Sequence, residues 1–193
     1  MCGRYVITED MWEEYEMIVR DFDPLMYLSL PRDIYPSAKA PAIISENKEL
    51  YGRNMTFGFT GYEKGRSLIN ARRETALEKR TFADAVREHR CVLPAASFYE
   101  WNKQKEKAVF TLPEKKILYF AGCYRKEKDG NHFVILTGKA NASMKPVHDR
   151  MPLILTREDI GPWLTDNSLI EAYLQSEEPM LEYTMDHEQM TLF

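Results

Sequence analysis

Apolar residues first recur at helical spacing near the start of the chain. Met11, Trp12, Tyr15, Ile18 and Val19 fall on one stripe, and Thr8 stands where an N-cap belongs. The pattern predicts a helix from Thr8 through Arg20 with that stripe buried. Arg4-Tyr5-Val6-Ile7, just before it, reads as a short strand. The segment Pro24 to Pro41 contains Pro24, Pro31, Pro36 and Pro41 and reads as a surface loop.

Beyond that segment the pattern turns to strands. They are expected at Ala42–Ser45, Tyr51–Phe59 and Leu68–Ala71, the last after a loop holding Gly61 and Gly65. Thr81 is placed to cap a helix running to about His89. Further strands are expected at Cys91–Pro94, Ser97–Trp101, Ala108–Leu112, Ile117–Tyr124, His132–Thr137 and Leu153–Leu155. The Asp-Gly pair within Lys128-Asp129-Gly130-Asn131 marks a hairpin turn. Thr156 and Asp159 resemble a capping box opening a helix towards Leu164, and Ser168–Gln175 reads as another short helix. The last dozen residues are polar, with Leu192-Phe193 at the end. Many short strands and few helices predict a single α+β domain spanning residues 1–193, with a curved, mostly antiparallel, barrel-like sheet and peripheral helices.

Composition narrows the function. An apolar fraction of 44% suits a packed core. No apolar run reaches the roughly 20 residues of a membrane span and no secretory signal opens the chain, so a cytoplasmic protein is expected. Cys2, Cys91 and Cys123 lack the spacing of a disulfide framework or a zinc cluster, and His89, His132, His148 and His187 lack a paired ligand spacing. Neither metal nor cofactor is expected. The net charge of −4 is unevenly spread: residues 1–52 carry −5, residues 53–150 carry +9 and residues 151–193 carry −8. A basic middle can present a positive groove to a polyanion whatever the total charge.

Polar residues gather at four places. In Leu68-Ile69-Asn70-Ala71-Arg72, the period of two puts Asn70 and Arg72 on one face, an amide beside a phosphate clamp. In Phe98-Tyr99-Glu100-Trp101, a carboxyl group lies among aromatics, surroundings that favour its neutral form and suit proton transfer. Thr137-Gly138-Lys139-Ala140-Asn141 follows a strand with small and polar residues. Val147-His148-Asp149-Arg150-Met151-Pro152 sets a histidine beside an acid and a base. Each has a structural explanation when taken alone: a turn amide, a lysine-paired glutamate, a capped surface histidine.

The chain begins Met1-Cys2-Gly3-Arg4-Tyr5. Removal of Met1, which the small Cys2 permits, would leave an α-amine and a thiol on adjacent carbons. The amine can form an imine with an aldehyde, and the thiol can close on the imine carbon to give a five-membered thiazolidine.

Together, the opening Met1-Cys2-Gly3-Arg4-Tyr5, Ile69-Asn70-Ala71-Arg72 with Glu74-Thr75, Phe98-Tyr99-Glu100-Trp101, Thr137 with Ala140-Asn141, and His148-Asp149-Arg150-Met151-Pro152 resemble the SRAP family of abasic-site processing proteins. The blocks run in the family's order to about residue 164, and the last thirty residues match poorly. The resemblance implies Cys2 as a nucleophile that captures the ring-opened aldehyde of an abasic site in single-stranded DNA, with AP lyase activity as a further outcome. It implies Asn70 as a positioning group, Glu100 as the acid/base and His148 as an aid to proton transfer. It places a DNA footprint at Arg4, Pro36, Phe59, Tyr62, Arg72, Asn141 and Arg150, in a monomer whose other candidate partner is the replication machinery. The sequence departs from the family at Asp33-Ile34-Tyr35-Pro36, at Phe57-Gly58-Phe59-Thr60-Gly61-Tyr62, where tryptophans are usual and Phe59 or Tyr62 would stack instead, and at the C-terminus. Two other classes compete. One is an N-terminal-nucleophile cysteine hydrolase, which also begins Met-Cys-Gly but needs an Asn-Gly pair absent here. The other is a non-covalent single-strand-binding module.

Overall fold

The computed structural model describes residues 2–22, 32–61 and 67–186. Pro24, Pro31, Tyr62, Gly65 and Leu192-Phe193 lie outside the described residues. In chain order the elements are β1 (Tyr5–Ile7), α1 (Trp12–Ile18), β2 (Arg32–Ile34), β3 (Lys39–Glu46), β4 (Glu49–Phe57), β5 (Phe59–Thr60), β6 (Ser67–Leu68) and β7 (Asn70–Arg72). Then come α2 (Ala83–Glu88), β8 (Arg90–Ala95), β9 (Ser97–Trp101), β10 (Lys107–Thr111), β11 (Leu118–Glu127) and β12 (Gly130–Lys139). The chain continues through β13 (Arg150–Pro152), β14 (Ile154–Leu155), α3 (Ile160–Thr165), α4 (Ile170–Gln175) and β15 (Glu182–Asp186).

Five strands close on themselves in the order β12-β4-β3-β8-β11 and back to β12. The closing pair β12–β4 is parallel, with His132 opposite Thr56 and Phe133 opposite Phe57. Closure removes the open edges that a sheet of this length would otherwise present. A second sheet runs β15-β10-β9-β1-β2. The alternation along the barrel strands feeds two cores. Cys91 and Leu93 of β8, Phe120 of β11, and Phe133 and Ile135 of β12 pack with Tyr5, Phe98 and Phe110 of the second sheet. The intervening Val92, Ala121, Val134 and Leu136 pack with Val86 of α2, Trp163 of α3 and Leu174 of α4. Arg90 ties the helices down: its buried guanidinium donates to the carbonyls of Val86 (3.2 Å) and Trp163 (2.5 Å) and to Oδ1 of Asn167 (2.7 Å). Carbonyls near the ends of α2 and α3 are thus satisfied by one cation. Gly130, at φ +134°, takes up the β11–β12 turn.

Several boundaries depart from the sequence pattern. The first helix opens with a 3-10 turn, Glu9–Met11, and Thr8 caps it with no side-chain bond. It ends at Ile18 because Val19 is extended (φ −100°, ψ 142°), though Met11, Trp12, Tyr15 and Val19 are buried as the stripe requires. The helix expected from Thr81 starts at Ala83, behind Phe82. The proline-rich stretch is not all loop: Arg32–Ile34 and Lys39–Glu46 are strands. β3 pairs β8 only at Ile43↔Val92, which leaves Pro41 a single strand neighbour, Asn54 of β4. The end of the chain supplies an edge strand, β15, paired along β10. Asp159 does close back on Thr156, accepting from its N–H at 3.2 Å and its hydroxyl at 2.6 Å. Among the described residues no helix is long and apolar enough to cross a membrane.

Candidate active site and basic groove

Two strands bring the N-terminus to Glu100. β1 pairs with β9 at Tyr5↔Phe98, and the Tyr99 N–H continues the ladder by donating to the Arg4 carbonyl at 3.0 Å. That register carries Gly3 towards Glu100, which faces the core at 4% exposure, as Cys2 does at 1%. Burial pushes the Cys2 thiol well above the usual range, and the nearby Glu100 carboxylate pushes it further the same way. The parallel β7–β12 pairing, with Asn70 opposite Ile135, sets the third group. The Asn70 side chain donates from Nδ2 to the Cys2 carbonyl at 3.2 Å. Its Oδ1 is buried without a partner among the described residues.

Two residues along β7, Arg72 opens an exposed groove of about 630 Å³ that it lines with Lys139, Ala140, Lys145, His148, Asp149 and Arg150. Four cationic side chains stand against one carboxylate in this lining, so the groove is basic. Arg150 is held in place: its guanidinium grips Glu74 at 2.7 and 2.9 Å and reaches the Thr137 carbonyl at 2.5 Å. The Arg150 hydrogen bond in turn keeps the Glu74 carboxyl below its ordinary value. The Arg150 N–H donates to Nδ1 of His148 at 3.0 Å, and the Asp149 carboxylate stands 3.2 Å from the same nitrogen.

Cys2, Asn70 and Glu100 therefore form one buried corner, and Arg72, His148 and Arg150 one groove, with β7 joining the two. The other footprint residues lie elsewhere. Arg4 is paired with Asp33 and sandwiched between the rings of Tyr35 and Tyr99, at 4.7 and 4.6 Å. Asn141 donates to the carbonyls of Glu178 and Pro179. Pro36 is exposed in the turn between β2 and β3. Phe59 is fully buried beneath Arg125 and beside Phe82, which leaves no ring face for a base to stack on. Lys145 and the Glu74 clamp on Arg150 escaped sequence reasoning; the +9 charge of residues 53–150 was the signal for Lys145, while Glu74 and Arg150 stood in separate motif blocks with nothing to pair them. Glu127, Asp129 and His132 bring donor atoms within 4.8 Å of one another. Those donors are engaged within the fold: Glu127 accepts from Thr60 and Arg125, and His132 contacts the Gly58 carbonyl and Asp129.

A closed barrel flanked by a second sheet, with a buried N-terminal cysteine beside a basic groove, defines a recognisable class. The family model described as SOS response associated peptidase (SRAP) matches residues 1–191, and the chain belongs to this family. The match continues through the C-terminal stretch that the motif blocks had left out. Among its relatives, the abasic site processing protein YoqW of Bacillus subtilis (strain 168) is 32% identical over 195 residues, covering 91% of this chain and 85% of that one. The abasic site processing protein YedK of Escherichia coli (strain K12) is 24% identical, covering 85% and 79%. Crystal structures of proteins from Bacteroides thetaiotaomicron (TM-score 0.80, 20% identity, 97% and 93% covered) and Bordetella bronchiseptica (0.77, 21%, 96% and 99%) share the fold.

Proposed function

We propose that this chain processes abasic sites in single-stranded DNA by joining them covalently to its own N-terminus. The relatives' name supports the substrate class. The single observation that carries the chemistry is the buried corner of Cys2, Asn70 and Glu100 beside the basic groove.

Removal of Met1 exposes the aminothiol. The amine adds to the C1′ aldehyde of the opened sugar, and the resulting carbinolamine loses water to form an imine. The Cys2 sulfur then adds to the imine carbon, its proton passing to nitrogen, and the thiazolidine closes with no change of oxidation state. Water leaves the carbinolamine only if protonated, and Glu100 supplies that proton in one direction and removes it in the other. Asn70 orients Cys2 through its carbonyl. Arg72 and Lys145 take flanking phosphates, and His148 moves protons on the sugar-oxygen or 3′-phosphate side. Where the sulfur does not close, the same imine acidifies the C2′ hydrogen and permits β-elimination of the 3′ phosphate, the lyase outcome.

The state of the thiol favours this order over a hydrolase. A thiolate nucleophile needs a lowered thiol value, whereas burial raises that of Cys2; a neutral thiol suits closure on an imine already formed by the amine. Denaturing electrophoresis after incubation with abasic single strands, intact strands and glutamine tests the reading. A band shift that survives denaturation is expected with abasic DNA alone, and its absence overturns the proposal.

A further inference from the structure

Residues 176–181, between α4 and β15, run across the elements that build both walls of the groove. Glu178 accepts from Arg73 Nη1 and from the Ile154 N–H, each at 2.7 Å. Arg73 directly follows Arg72. It also donates to the Ser176 carbonyl at 2.8 Å, and its own N–H bonds to Thr137 of β12 at 2.9 Å. The other wall is the loop carrying Lys145 and His148, and it is tied to the same segment. Asn141 donates to the Glu178 and Pro179 carbonyls at 3.2 and 2.8 Å, and its own carbonyl accepts from the Lys145 N–H at 2.9 Å. Ser143, held by Asn141, accepts from the Leu181 N–H at 3.0 Å.

On the reading that the groove holds a DNA strand, we propose that Glu178 is a positioning residue: its ion pair with Arg73 sets Arg72 against Lys145 and His148, and a proton on Glu178 slackens that spacing. The Glu178 side chain is 2% exposed, and its pairing partner Arg73 is also largely buried, so loss of the ion pair leaves a cation that must find new partners. Burial pushes the Glu178 carboxyl up to about 7, against the opposing pull of the Ile154 N–H and Arg73, so the proton exchanges near neutral pH. Glu178 also borders a second cavity of about 980 Å³ that shares no lining residue with the groove. The other ionisable side chains on that cavity are Glu14, Lys116, Tyr119, Arg157, Glu158, Asp159, Tyr173 and Glu177. None of them touches the proposed strand path, so the proton can arrive from a face separate from the DNA.

The test is affinity for an intact single-stranded oligonucleotide as a function of pH, for wild type, Glu178→Gln and Arg73→Lys. Gln keeps an acceptor for Ile154 and removes the charge. Near pH 8 we expect Glu178→Gln to bind about fivefold more weakly, within the range of coupling through a packed network, and Arg73→Lys to stay near wild type. As pH falls through about 7 the wild type loses the same charge, so the two affinities should converge, and any pH effect common to both proteins cancels in the comparison. Equal affinities throughout overturn the proposal, as does a deficit that persists undiminished in acid, which would mark general structural damage. If wild type binds no single strand, the DNA reading fails first and this inference falls with it, an outcome visible before any variant is compared.

Discussion

The Asn70 side chain holds the Cys2 carbonyl at 3.2 Å with its amide nitrogen, while its oxygen is buried without a partner among the described residues. An orphaned buried acceptor costs about 1–3 kcal/mol. On the proposed mechanism, a processed Cys2 amine or a sugar hydroxyl would supply the donor to this oxygen.

Asn70→Ala removes both the anchor and the orphan. Crosslinking to abasic DNA should slow by about 100-fold, the scale of a misplaced reacting group, while thermal stability is held or raised. Single-turnover adduct formation and a melt of the same sample check this; an unchanged rate would show that the amide does not orient Cys2.

Cys2→Ala should abolish the denaturation-resistant adduct and leave the melt intact. Cys91 and Cys123 are fully buried, and burial raises both thiols; their replacement by alanine should leave the adduct, at a stability cost of about 1–3 kcal/mol for a vacated core site. Persistence of the adduct in Cys2→Ala would sink the thiazolidine mechanism.

Arg72→Ala and Lys145→Ala each remove a proposed phosphate contact. Each should weaken binding to intact strands and flatten the salt dependence by about 0.7 in slope. Slopes that match wild type would take that side chain off the backbone path.

Glu100→Gln keeps the shape and removes the proton transfer. Aldehyde and aminothiol react unaided, so the adduct should still form, but formation and release should both slow by about 10²–10⁴-fold. A chase with excess unlabelled abasic DNA measures release, and exchange at the wild-type rate would pass the acid/base role to His148.

Glu178 also gives a stability prediction. Its folded value of about 7 lies above the ordinary carboxyl value of 4.5, so the native state binds the extra proton between the two. Its contribution to stability is therefore fully present below about pH 4.5 and is lost as pH rises through about 7. The melting temperature of wild type relative to Glu178→Gln should decline across that window. A difference that grows with pH would contradict the burial cost assigned to the carboxylate.

Much of the scaffold was legible because local periodicity wrote it. Ser97–Trp101 was bounded correctly, and in the fold its alternation turns Phe98 and Glu100 together to the buried side. Asn70 and Arg72 share a strand as the period of two required. What escaped was set by partners far away in the chain. Arg150-Met151-Pro152 fell outside every expected strand, yet β12 recruits it as β13. β15 is polar and becomes a strand because β10 offers it an edge. Phe59 looked like a stacking ring, but Arg125 and Phe82, each more than twenty residues away, bury it. Glu178 lies 105 residues from Arg73, a separation over which no sequence pattern signals a bond.

The burial of Cys2 bears on the timing of maturation. An aminopeptidase must draw an extended Met1–Cys2 bond into its own cleft, and a residue 1% exposed in the finished fold is not offered that way. Asn70, which seats Cys2, belongs to β7, and among the described residues β7 pairs only with β12, at residues 130–139. During synthesis the N-terminus emerges long before that strand, at about 5–20 residues per second. The proposed excision of Met1 therefore belongs to the growing chain on the ribosome, before β12 has been made and Cys2 has been seated.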